Sequence, residues 1–133
     1  MISRLDDEIG FMSKALNLRA HRQQLLAGNI ANADTPGYKA VDIDFPRALN
    51  SAIGSSQSVS MNMTVRGHLQ PKGSNPLGAQ TLYRQPAQPS IDGNTVDMDV
   101  ERTRFIDNAI HYQFALDRVA EDFKEMQLAL RGQ

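Results

Sequence analysis

Cysteine and tryptophan are both missing from these 133 residues, and aromatic side chains make up only 6% of them. Without cysteine there are no disulfide staples, thiolate metal sites or cysteine nucleophiles. With few aromatics, and hydrophobic residues at 41%, a large packed core is not expected. Neither sign of charge dominates. Lys and Arg number 14 against 15 acids, for a net charge of -1, so no nucleic-acid partner is expected. No apolar run approaches the roughly 18 residues of a membrane span, so direct membrane insertion is not expected either. The opening Met-Ile-Ser-Arg-Leu-Asp-Asp-Glu puts acids where a secretory signal carries its apolar stretch. Export by the general secretory route is therefore not expected.

Proline is absent from both ends of the chain. Pro36, Pro46, Pro71, Pro76, Pro86 and Pro89 all fall in the middle, together with Gly37, Gly54, Gly67, Gly73, Gly78 and Gly93. Two helix-permissive stretches thus flank a segment rich in helix breakers. The expected organisation is an N-terminal helix and its exit over 1–38, a loop-rich middle over 39–94, and a C-terminal helix over 95–133. The fold class is mainly α. Long terminal helices pack as a coiled-coil-like pair, and the middle carries a small β-hairpin.

The C-terminal stretch has the cleaner periodicity. Alternating steps of four and three from Met98 reach Arg102, Phe105, Ala109, Tyr112, Leu116, Val119, Phe123, Met126 and Leu130, all apolar except Arg102. Asp97, Asp99 and Glu101 crowd the first turn, where carboxylates complement the helix dipole, and Arg131-Gly132 suits a helix end. The N-terminal stretch repeats the pattern through Leu5, Ile9, Met12, Leu16, Arg19, Gln23, Leu26 and Ile30, predicting an amphipathic helix over about residues 4–32. A second stripe through Phe11, Ala15, Leu18 and Leu25 widens its apolar face. Paired with each other alone, the two helices leave apolar surface over, which points to further partners. Gln23 and Arg102 interrupt the seams, and the sequence does not decide what they face.

In the middle segment Val59, Met61, Met63 and Val65 alternate with polar residues at the two-residue period of a strand. Thr81-Leu82-Tyr83-Arg84 is the candidate to pair with it, across a stretch rich in turn formers. Alone, such a hairpin would not offset its ordering entropy.

Reactive chemistry is sparse. His21, His68 and His111 have no ligand-spaced neighbours, and there is no phosphate-cradling glycine loop or Gly-x-Ser-x-Gly elbow. The acidic run Asp92–Asp99 has Gly93 at the second position of a possible calcium loop, where the sixth is required, and Val96 where an oxygen ligand belongs. A turn into a helix start explains it better. No catalytic residue, metal or cofactor is expected. A coiled-coil adaptor or secreted binding module is the competing class.

One segment is specific: Asn29-Ile30-Ala31-Asn32-Ala33-Asp34-Thr35-Pro36-Gly37-Tyr38. Physically it is a helix exit, with Pro36 forbidding continuation and Gly37 placed where a type II turn needs positive φ. Tyr38 follows the corner, available to pack or to donate a hydrogen bond. The segment resembles the signature with which bacterial flagellar axial proteins, the rod and hook subunits, leave their first helix. Ala15–Ala20, Val41–Phe45, Tyr83–Pro86 and the run Asp92-Gly93-Asn94-Thr95-Val96-Asp97 are similar to the proximal rod members of that family.

The resemblance implies a structural subunit that stacks helically with copies of itself and other rod subunits into a shaft crossing the periplasm. It implies contacts with basal adaptor and membrane-ring proteins, and passage through the flagellar type III export apparatus without a cleavable signal. The assembly interface would then be the two seams: Leu5, Ile9, Met12, Leu16, Leu26 and Ile30 on one helix. The other helix would give Phe105, Ala109, Tyr112, Leu116, Val119, Phe123, Met126 and Leu130.

Overall fold

The computed structural model describes residues 2–54, 79–86 and 90–132, with backbone alone over residues 2–5. In chain order the elements are α1 (Ile2–Ala31), β1 (Val41–Ile43), α2 (Phe45–Gly54), β2 (Thr81–Tyr83) and α3 (Met98–Arg131). At 1.5 Å per residue α1 and α3 are about 45 and 51 Å long. They lie antiparallel: Asn29 meets Glu101, Gln23 meets Phe105 and Arg19 meets Asn108, so positions rise on one helix as they fall on the other.

The ends of α3 follow its sequence. Asp97 is extended, and its carboxylate accepts the Asp99 and Val100 N–H groups that the first turn leaves unpaired. Gly132 closes the far end in the left-handed region with φ 70°. α1 starts at Ile2, earlier than its pattern predicts, so Asp6, Asp7 and Glu8 fall in its second turn and not its first.

The middle segment departs from expectation in two ways. Phe45–Gly54 is a helix, not a loop. Asp44 caps it by accepting the Arg47 N–H at 3.2 Å, and Pro46 sits in the first turn, where its missing N–H costs nothing. Phe45, Ala48, Leu49 and Ala52 then line one face. Secondly, β2 pairs with β1, a partner that the pattern did not name; the Val59–Val65 stretch lies outside the described residues. The pairing is antiparallel, with Val41 opposite Tyr83 and Ile43 opposite Thr81, and the Arg84 N–H extends it to the Ala40 carbonyl at 2.9 Å.

These elements relocate the core. Leu18, Ile43, Ala48, Ala52 and Ala79 are buried together, with Leu25, Phe45 and Leu49 packed against them. The core thus lies between α1, β1 and α2, and not along the α1–α3 seam. The second stripe of α1 exists for this contact, since Leu18 and Leu25 both belong to it. Alanines on α2 let the short helix approach closely. Arg19 closes one side, its guanidinium 3.9 Å above the Phe45 ring.

Candidate assembly site

The motif at the end of α1 builds a joint. Asn29 is fully buried two residues before the end of α1. Its amide donates to the Val41 carbonyl at 2.8 Å and to a Glu101 carboxylate oxygen at 3.0 Å. Its carbonyl accepts the Val41 N–H at 3.0 Å and the Tyr38 hydroxyl at 3.4 Å. One side chain thereby fastens α1 to β1, to α3 and to its own exit turn.

Past the helix end, the Tyr38 N–H donates to the Thr35 carbonyl at 3.2 Å across Pro36-Gly37, and Gly37 has φ 72°. These are the marks of a type II turn, which needs positive φ at its third residue. The Asp92-Gly93-Asn94 turn packs onto it. Gly37 N–H donates to the Asp92 carbonyl at 2.9 Å, and Gly93 has φ 74°, its position 3.9 Å from the Gly37 Cα for an added Cβ. Asn94 then pins the exit turn that follows α1. Its amide donates to the carbonyls of Asn32, Ala33 and Thr35 at 3.2, 2.6 and 3.0 Å, of which those of Asn32 and Thr35 also accept the Thr35 and Tyr38 N–H groups. Its own carbonyl accepts the Val96 N–H at 2.8 Å and leads the chain to the Asp97 cap. The exit from the first helix and the approach to the last are one structure, although more than fifty residues separate them.

Charged groups lie beneath this joint. Asp42 receives Arg22 at 2.8 and 3.0 Å and Arg84 at 2.8 Å, with Arg104 3.5 Å away. Arg84 also bonds Glu101, which is fully buried. Burial raises the Asp42 carboxyl. Hydrogen bonds from Arg22 and the Ile43 N–H, with the charges of Arg22 and Arg84, outweigh that and hold it below the ordinary aspartate value. Among the described residues no buried side-chain polar atom lacks a partner.

Between α1 and α3 the contact is more polar than the sequence suggests. Glu101 and Asn108 are the fully buried residues of α3, where the predicted seam has Arg102 and Ala109. Asn108 donates to the Arg19 carbonyl at 2.9 Å and the Gln23 side chain at 2.6 Å, and Gln23 donates to the Phe105 carbonyl at 3.4 Å. Gln23 therefore faces α3, which settles a position that the sequence left open. Arg102 is exposed.

Because the contact face of α3 is rotated away from the predicted seam, apolar residues stay outside. Phe105, Ala109, Tyr112, Val119 and Met126 are half-buried, whereas Leu116, Phe123 and Leu130 are exposed. On α1, Leu26 is fully buried within the chain, Ile9, Met12, Leu16 and Ile30 are half-buried, and Leu5 lies where only backbone is described. Toward the free ends of the hairpin, Ile9, Met12, Leu16, Tyr112, Val119 and Met126 line an open groove of about 360 Å³, with Glu8 and Asp122 among its walls. A further stripe escaped the sequence reading. Ile106, Ile110 and Phe114 are 58, 64 and 71% exposed, and their four-residue spacing on the opposite face of α3 was the available signal. Such an area of unpartnered apolar surface marks association.

Among the described residues no group of three or more His, Asp or Glu could hold a metal ion, and no helix is long and apolar enough to cross a membrane.

Comparison with known proteins agrees with this architecture. The profile of the family described as flagella basal body rod protein matches residues 11–39, which run from the core stripe of α1 through the exit turn. The chain is 46% identical to the flagellar basal body rod protein FlgB of Escherichia coli K12 over 99% of both chains. It is 44% identical to that of Yersinia enterocolitica over 98% of each. With the protein of the same name from Buchnera aphidicola the identity is 38%, over 99% of this chain and all of the relative. Similarity at this level along the whole length means that the chain belongs to the FlgB family of flagellar basal body rod proteins.

Proposed function

We propose that the chain is a structural, non-catalytic subunit of the proximal flagellar rod, polymerising helically with itself and other rod subunits into the shaft that carries motor torque across the periplasm. The observation that carries this is the distribution of apolar surface. The polar joint and the Asn108 contact hold α1 to α3, while Phe114, Phe123 and Leu130 of α3 stay exposed. Those side chains become buried only against neighbouring subunits. Stiffness then arises from many simultaneous helix contacts and from no single strong site. The seam residues from Ile9 to Leu130 serve those contacts as well as the pairing within the chain, except Leu26, which is already enclosed. The exit and approach turns set the angle at which residues 39–94 leave the helical layer. Contacts with basal adaptor and membrane-ring proteins, and export by the flagellar type III apparatus without a cleavable signal, belong to the same reading. Similarity over the whole chain to rod proteins disfavours the adaptor alternative.

Leu116 tests the proposal because it is a seam residue still 38% exposed in the isolated chain, which leaves part of its side chain for a neighbour; circular dichroism of the variant checks that the fold is kept. Leu116→Asp abolishes rod assembly and motility while export of the variant continues. Normal swimming in that variant would overturn the role given to the seam.

A further inference from the structure

We infer which surfaces meet when two copies join: the outward ridge of α3 on one copy seats in the α1–α3 groove of the next, head to tail. This rests on the rod-subunit reading above. The row at four-residue spacing on α3 is Arg102, Ile106, Ile110, Phe114 and Arg118, three apolar side chains closed at both ends by arginine. All five are exposed. From Ile106 to Phe114 the ridge runs about 12 Å at the helical rise. The groove walls Ile9–Leu16 and Val119–Met126 each run about 10 Å by the same measure. Ridges of this spacing pack into the groove between side chains of a facing helix. Charge agrees with shape at Glu8, which stands in the groove wall to meet a ridge arginine of another copy; Asp122, the other acid there, already holds Arg118 of its own chain at 3.5 Å.

Geometry excludes the intramolecular alternative. Ridge and groove share the continuous helix α3, and one cannot fold back onto the other. Two different patches of one chain that meet between copies form a heterologous contact, which repeats without closing unless the rotation happens to make a ring. An open helical series follows from this one pairing. It also gives Arg102 its place, as the residue that closes the ridge.

The absence of cysteine makes the test clean. The full chain carrying both Met12→Cys and Ile110→Cys is concentrated, oxidised and run without reductant, with light scattering recorded before oxidation. A ladder of linked trimers and higher multimers is expected, and each single variant gives dimers at most. Ile110→Asp, at an exposed position, should keep the helical circular dichroism and raise the concentration for half-assembly by about tenfold or more. Polymers that scatter light but give no ladder, or Ile110→Asp polymers that form normally, overturn the ridge-and-groove pairing and leave the rod reading intact. Neither scattering nor a ladder at any concentration overturns both.

Discussion

Two asparagines and one glutamate hold the joint, and each has a measurable consequence. Asn94→Ala removes three bonds to carbonyls of the exit turn, of which those of Asn32 and Thr35 keep a backbone partner and that of Ala33 loses the one shown. A polar group left without its partner costs about 1–3 kcal/mol, so denaturant titration should show a loss of that order. Glu101→Leu takes one partner each from Arg84 and Asn29, which keep Asp42 and the Val41 carbonyl, so a loss of about 1–3 kcal/mol is expected. Gly37→Ala and Gly93→Ala force a Cβ onto positive φ, at about 1–2 kcal/mol each. The charged layer also sets an acid limit. The Asp42 carboxyl is lowered in the fold, so its contribution is complete above the unfolded value of about 3.9. It is lost as pH falls below that through the lowered value. Thermal melts between pH 5 and 2 should show a falling midpoint, and Asp42→Asn should flatten that fall. The asparagines were visible in the sequence as a motif, but their partners were not. Glu101 was hidden altogether, because an acid in a first helical turn is fully explained by the dipole until the fold shows it buried against Arg84.

At the scale of elements, α1 and α3 were legible because long apolar periods survive any local uncertainty. The face they use was less so. A 3.5-residue seam read through Arg102 and Ala109 is displaced from one through Glu101 and Asn108, and only Arg19 and Gln23 on the partner helix decide between them. Polar residues in a helical seam fix register at some expense of stability. Asn108→Leu should therefore keep or raise the melting temperature while allowing α1 and α3 to slip. Cysteines placed across the pair would then link in more than one register, whereas the natural chain gives one. The helix α2 was missed although Asp44, Pro46 and the spacing of Phe45, Ala48, Leu49 and Ala52 all signal it. Ten residues between a strand and a Gly-Ser run read as connection. β2 was found but its pairing with β1 was not, since a three-residue strand carries too little pattern to name its neighbour. Gly28 offers a simpler test. An added Cβ there would touch nothing within 4 Å, so Gly28→Ala should stabilise α1 by about 1 kcal/mol in the isolated chain.

For the whole molecule, the division of surfaces matters more than any single contact. Its small core, the joint and the polar layer specify one arrangement of the hairpin, and the apolar residues left outside specify neighbours. On the proposed reading the chain buries further apolar surface on assembly, so its order and its polymerisation are coupled. The most direct measurement is the molar mass of the purified full-length chain by light scattering as concentration rises, with far-UV circular dichroism of the same samples. The account predicts mass that grows without a plateau, accompanied by rising helicity as the hairpin ends are buried. A mass that settles at that of a monomer or dimer, with unchanging helicity, would contradict it.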